Sequence, residues 1–156
     1  GLYGSYKDLK STTRNNLESF LAINLLAPFQ ITQHFFHNMK SQGWGRIVNI
    51  SSIGVKFGGN PASSPYSISK ASLEAMTLSF SKDGADSNVL VNSLRVGVTN
   101  TKIHTNNPSK DMELRVQRIP MKRMAEPDEI ANFIQFLSSE ENSFTTGQTI
   151  AISGGE

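Results

Sequence analysis

The chain predicts an α/β layer built on a parallel sheet. Helical periodicity and short apolar runs alternate along its 156 residues as helix, strand, helix, strand, helix, strand. The apolar runs are nearly continuous, which suits strands covered on both faces. Clusters of glycine, serine and asparagine separate them, where turns are needed. One domain over residues 1–156 fits this length.

The opening stretch "GLYGSYKDLKST" reads as a loop. A long helical pattern runs from about residue 13 to 40. Leu17, Leu21, Leu25, Phe29, Phe36 and Met39 fall near one stripe, and Phe20, Ile23, Leu26, Ile31 and Phe35 widen it. So wide a stripe predicts burial on more than one side. "SQGWG" ends the helix, and "RIVNI" (46–50) predicts a buried strand. A Gly/Ser-rich loop follows. A second helix is expected from 66 to about 82, a second strand at 89–96, and irregular chain over 97–120. A third helix should start at Pro127, with Asp128 and Glu129 in its first turn facing the helix dipole. Its inner face is Ile130, Phe133, Ile134 and Leu137. "TTGQ" makes a turn, and "TIAIS" is the third strand.

Composition narrows the function classes. Apolar residues make up 37% and charged residues 18%, as in a globular protein. The net charge of +2 is spread without a basic block, so nucleic acid is not expected as a partner. No apolar run is long enough to span a bilayer, and no membrane role is expected. The chain has no cysteine, which removes disulfides and thiolate metal sites, and no metal is expected.

The chemistry centres on "SSPYSISKAS", residues 63–72. Tyr66 and Lys70 are one helical turn apart and share a face. An ammonium beside a phenol favours phenolate and lowers its pKa, which suits proton transfer at moderate pH. Ser52, at the end of the first strand, is within plausible reach of a substrate oxygen near Tyr66. Taken alone, a Tyr–Lys pair at this spacing is an ordinary helix surface, and a serine in such a loop is an ordinary loop residue. Ligands of open α/β sheets bind at the carboxyl ends of the strands, here 51–52, 97–101 and 154–155. A separate argument concerns Pro28. It lacks an N–H, and its ring clashes with the carbonyl of Asn24, so the long helix should be distorted there, with water taking up the freed carbonyl.

The ordered set "GRIVNISSIG", "PYSISKAS", "VNSLRVGVTNTKI", "IPMKRMAEPDEIANFIQFLSSE" and "TTGQTIAISGG" resembles the short-chain dehydrogenase/reductase family almost from end to end. The resemblance implies the C-terminal portion of a Rossmann-like, doubly wound parallel sheet, with three visible strands and flanking helices. It implies an oxidoreductase moving hydride between NAD or NADP and a small-molecule carbonyl or alcohol substrate. Tyr66 would be the acid/base, Ser52 the polariser of the substrate oxygen, Lys70 the group that lowers the tyrosine pKa and holds the nicotinamide ribose, and Asn24 the anchor of a relay water. Gly97, Val98 and Thr101, in "VGVTNT", match the family's cofactor segment, with Val98 meeting the carboxamide and Thr101 the phosphates. Residues 102–119 match its substrate loop and are expected to act as a lid. A cytoplasmic homo-oligomer, dimer or tetramer, is implied, with residues 13–40 and 66–82 as candidate interface helices.

Some positions depart from the family. The Ser52–Tyr66 spacing is one residue longer than the commonest, which leaves Ser51 as a rival. Val96 stands where proline is usual, and Arg95 where the family is small or apolar. The glycine-rich first turn and the N-N-A-G segment are not matched, and in the family about ninety residues precede the point where this sequence starts. The expectation is therefore a catalytic portion whose 156 residues alone lack useful dinucleotide affinity. Two alternatives remain at this stage: a 3-oxoacyl-[acyl-carrier-protein] reductase, and a non-catalytic scaffold that keeps the fold.

Overall fold

The computed structural model describes residues 1–4, 7–105 and 111–156. Its helices are α1 (Arg14–Leu21), α2 (Ala27–Gln42), α3 (Ser64–Gly84), α4 (Lys102–Thr105), α5 (Met112–Gln117) and α6 (Pro127–Ser138). Its strands are β1 (Gly45–Ser52), β2 (Val89–Val96) and β3 (Thr149–Ile152). They form one parallel sheet in the order β1-β2-β3. The α/β class and the three strands are as the sequence predicts.

The first helical run is not one α-helix. A π-turn, Ala22–Leu26, separates α1 from α2, and the Ala27 N–H reaches back five residues to the Ala22 carbonyl. This is the distortion expected from Pro28, which the break places in the first turn of α2, where a missing N–H is tolerated. The apolar stripe is narrower than predicted. Phe20, Asn24, Thr32 and Phe36 are buried, whereas Ile23, Leu26, Ile31 and Phe35 are at least half exposed among the described residues. Periodicity alone counted apolar residues without knowing which face has a neighbour. Gly43 closes α2 in the left-handed conformation, at φ 68°.

β2 is the central strand, and six of its residues from Val89 are buried in succession, the polar Asn92 and Ser93 among them. The sheet face that meets α3 changes character along its length. Near the strand starts, Phe36, Val89 and Val91 pack with Met39, Ile47 and Phe80. The rings of Phe36 and Phe80 meet edge to face at 4.9 Å. Further along, Asn49 donates to Thr77 Oγ1 at 2.9 Å. Beyond it Ser51 donates to Glu74. Apolar packing therefore holds the far end of α3, and directed polar contacts from Asn49 and Ser51 hold its middle. The turn from α3 into β2 needs Gly84, because a Cβ there would stand 2.6 Å from the Val89 carbonyl oxygen.

Residues 97–120 are less irregular than expected, since α4 and α5 lie within them. Of the expected lid, 106–110 lies outside the described residues. α5 is tied down by Arg115, which pairs with Glu156 at 2.6 Å. The start of α6 is fixed by a capping box in which the Glu129 carboxylate accepts from the Glu126 N–H at 2.8 Å. Arg123 grips the same carboxylate with two bonds of 2.7 Å.

The Arg123 guanidinium, helped by the Glu126 N–H, holds Glu129 down to about 2. A depressed carboxylate stabilises the fold above its unfolded pKa and loses that contribution as pH falls through the folded value. In urea unfolding, Glu129→Gln is expected to be less stable than the parent near neutral pH. That difference should shrink between about pH 4.5 and pH 2. A difference that stays constant across this range would show that the Glu129 charge contributes nothing to the cap.

Candidate active site

A cavity of about 1240 Å³ opens at the carboxyl ends of the strands. Ser52, Tyr66, Lys70, Gly97, Val98 and Thr101 all line it. The predicted catalytic and cofactor positions therefore meet at one place, with Asn24 immediately behind it.

Strand alternation separates the two serines. Successive residues of β1 point to opposite sides, so Ser51 and Ser52 cannot share a task. Ser51 is buried against α3, where its hydroxyl donates to Glu74 Oε1 at 2.6 Å. Ser52 caps the turn Ile53–Val55 by accepting from the Gly54 N–H at 3.2 Å, and it shares the cavity wall with the Tyr66 phenol, whose pKa it draws down. The geometry therefore favours Ser52 over its rival, and the extra residue before Tyr66 is absorbed by the two short 3₁₀ turns, Ile53–Val55 and Pro61–Ser63.

Tyr66 stands in the first turn of α3, just after Pro65, whose fixed φ suits a helix start. Its ring is held edge to face by Tyr3 at 5.0 Å and by Phe20 at 6.5 Å. Neither buttress is flagged by the sequence, since both lie far from Tyr66 along the chain. Burial pushes the Tyr66 phenol above its ordinary value, and Ser52 opposes the rise. The causes of this shift are burial first and Ser52 second. The Lys70 ammonium donates to the Ile50 carbonyl at 2.7 Å, at the end of β1. Lys70 is only 8% exposed, and burial moves its own pKa downward.

Asn24 is 1% exposed and lies in the π-turn. Its carboxamide oxygen accepts from the Leu2 N–H at 2.7 Å. Its amide donates to the Leu2 carbonyl at 2.8 Å and to Ser69 Oγ at 3.0 Å. Gly1 runs between Asn24 and Lys70. A Cβ on it would meet Asn24 Oδ1 at 2.7 Å and Lys70 Nζ at 3.3 Å. The two side chains thus flank the same strip of backbone without touching through any hydrogen bond described here.

The remaining wall is backbone. Gly97 donates to the Ile152 carbonyl at 2.8 Å, and a Cβ there would stand 2.7 Å from Ser153 Cα. That contact needs glycine, and it brings the ends of β2 and β3 together. The Val98 carbonyl accepts from the Ala125 N–H at 2.9 Å, which fixes its peptide plane at the cavity wall. Thr101 is exposed, with its hydroxyl 3.4 Å from the Thr99 carbonyl. A cationic group, a phenol and a close-packed backbone edge on one cavity fit the nicotinamide-ribose end of a dinucleotide. Among the described residues no cluster of three or more His, Asp or Glu could hold a metal ion. No described helix is long and apolar enough to cross a membrane.

The family model described as Enoyl-(Acyl carrier protein) reductase matches residues 2–156. The 3-oxoacyl-[acyl-carrier-protein] reductase FabG of Thermotoga maritima is 38% identical over 88% of this chain and 56% of its own length. The acetoacetyl-CoA reductase of Allochromatium vinosum is 32% identical over 96% of this chain and 60% of its own length. This chain thus spans little more than half of these curated relatives. Among solved structures, a 3-oxoacyl (acyl-carrier-protein) reductase from Agrobacterium tumefaciens C58 with NADP bound superposes with a TM-score of 0.89. It is 30% identical, over all of this chain and 62% of that one.

The phenol shift can be measured directly. In an alkaline titration of phenolate absorbance, one tyrosine is expected to ionise above the ordinary value near 10, and Tyr66→Phe should remove that step. Ser52→Ala should move it higher still. A Tyr66 step below 10 would contradict the dominance of burial.

Proposed function

Because the chain belongs to the short-chain dehydrogenase/reductase family, we propose that the protein is an NAD(P)-dependent oxidoreductase interconverting a carbonyl and an alcohol. The observation that carries this reading is that Ser52, Tyr66 and Lys70 line one cavity at the carboxyl ends of the strands. The nicotinamide supplies or accepts the hydride when bound.

The chain's own residues do the rest. Ser52 holds the substrate oxygen beside Tyr66. Tyr66 gives its phenolic proton to that oxygen during reduction and takes it back during oxidation. A phenol kept neutral by burial is ready to act as the acid. Lys70, poised at the end of β1, holds the ribose and offsets charge developing on the phenolate oxygen. Gly97, Val98 and Thr101 line the wall where the cofactor lies, with Val98 meeting the carboxamide and Thr101 the phosphates. Asn24 stiffens the backbone strip beside Lys70 and anchors the relay water. NAD and NADP both fit these residues.

The relatives favour acyl thioesters among the substrates. A 3-oxoacyl-[acyl-carrier-protein] reductase is the second reading, and Gly43 and Ser87 weigh against it, since they offer no basic side chain to an acidic carrier where several carrier reductases have one. A scaffold without activity has less support, because Ser52, Tyr66 and Lys70 are kept in one cavity. A cytoplasmic homo-oligomer belongs to the same proposal. Its interface would use the exposed Ile23, Leu26, Ile31 and Phe35 of the first helical run, with Ile68 and Leu78 of α3.

With acetoacetyl-CoA and NADPH as probes, Tyr66→Phe is expected to cut kcat by about 10²–10⁴-fold while the melting curve stays close to the parent's. A Phe variant with the parent's kcat would overturn the assignment of Tyr66.

A further inference from the structure

Arg95 is a charge at a position where an apolar or small side chain would be expected, and the chemistry above makes no use of it. In the structure it is engaged. Its Nε donates to Glu74 Oε1 at 2.9 Å and its Nη2 to Glu74 Oε2 at 2.6 Å. Ser51 donates to the same carboxylate at 2.6 Å. Ser51 and Arg95 are register partners on adjacent strands, so one carboxylate from α3 is held by both β1 and β2. The Glu74 side chain is 10% exposed and that of Arg95 29%.

We propose that the Arg95–Glu74–Ser51 network is a positioning device that sets α3 along the ends of β1 and β2, and with it the Ser52–Tyr66 and Lys70–Ile50 contacts. Glu74 lies one helical turn beyond Lys70 and two beyond Tyr66, on the same side of α3. Ser51 immediately precedes Ser52. The network therefore joins the helix that carries two active-site groups to the strand that carries the third. A bidentate guanidinium–carboxylate pair fixes direction as well as distance, which apolar packing does not. The apolar cluster around Phe80 lies at the far end of α3, and at its other end the Tyr3 and Phe20 rings meet Tyr66, so the Glu74 network adds the directed bonds between helix and strands that ring packing does not.

This inference rests on Tyr66 as the acid/base, and its test separates the two. The double variant Glu74→Met with Arg95→Met replaces the ion pair by side chains of similar volume, a change that often leaves stability intact. Ser51→Ala removes one bond and carries the test should the double variant fail to fold. With acetoacetyl-CoA and NADPH, the double variant is expected to melt cooperatively, lose about 10–100-fold in kcat and keep both KM values within about twofold. Ser51→Ala should lose less, in the same direction. The Tyr66 phenolate step, read against Tyr66→Phe in each background, should move upward as the Ser52 contact is lost. Folded variants with the parent's kcat and an unmoved phenol step would overturn the proposal and leave the network a stability element. A parent that reduces no carbonyl probe would refute the proposed function instead, and the phenol step would then decide the positioning role by itself.

Discussion

The bond from the buried Lys70 ammonium to the Ile50 carbonyl, at 2.7 Å, is the contact on which the site depends. A lysine this buried needs an acceptor to remain charged at low cost. The Ile50 carbonyl, near the end of β1, supplies one. Placing an ammonium there fixes α3 against β1. Tyr66, one turn earlier, then falls beside Ser52, and the wall from Gly97 to Thr101 closes the far side. The topology creates the cavity, and the Lys70 bond, together with the Glu74 network one turn along α3, holds the side chains that face it.

That constraint has a cost, which the rest of the molecule offsets. Burying Tyr66 and Lys70 moves each towards its neutral form: the phenol rises and the ammonium falls. The surrounding contacts are directional. Tyr3 and Phe20 orient the phenol ring, Asn24 clamps Leu2, and Glu74 ties both strands to the helix.

Much of this was legible in the sequence because it is local or periodic. β2 is expected over 89–96 and runs Val89–Val96, because the turn residues of "DGADSN" before it and Gly97 after it bracket the run. The start of α6 at Pro127 was marked by its cap chemistry. The distortion at Asn24 followed from the missing N–H of Pro28, although its form as a π-turn did not. What the sequence hid was relational. The exposure of Ile23 and Phe35 depends on which neighbours exist, and the opposite duties of Ser51 and Ser52 depend on strand phase. Arg95 looked anomalous until Glu74, distant in sequence, was brought opposite it. The push of burial on the Tyr66 phenol was hidden too, because spacing reveals the nearby lysine but not the depth of burial.

The central claim is that Lys70 sits at the strand end to hold a nicotinamide cofactor. Titrating the full-length protein with NADPH and NADH, followed by nicotinamide fluorescence and run in parallel on Lys70→Ala, tests it most directly. The account predicts saturable binding of at least one cofactor, weakened by about tenfold or more in the variant, as expected for loss of a hydrogen bond to a charged group. Binding that is equally tight without the ammonium, or no binding by a folded parent, would contradict it.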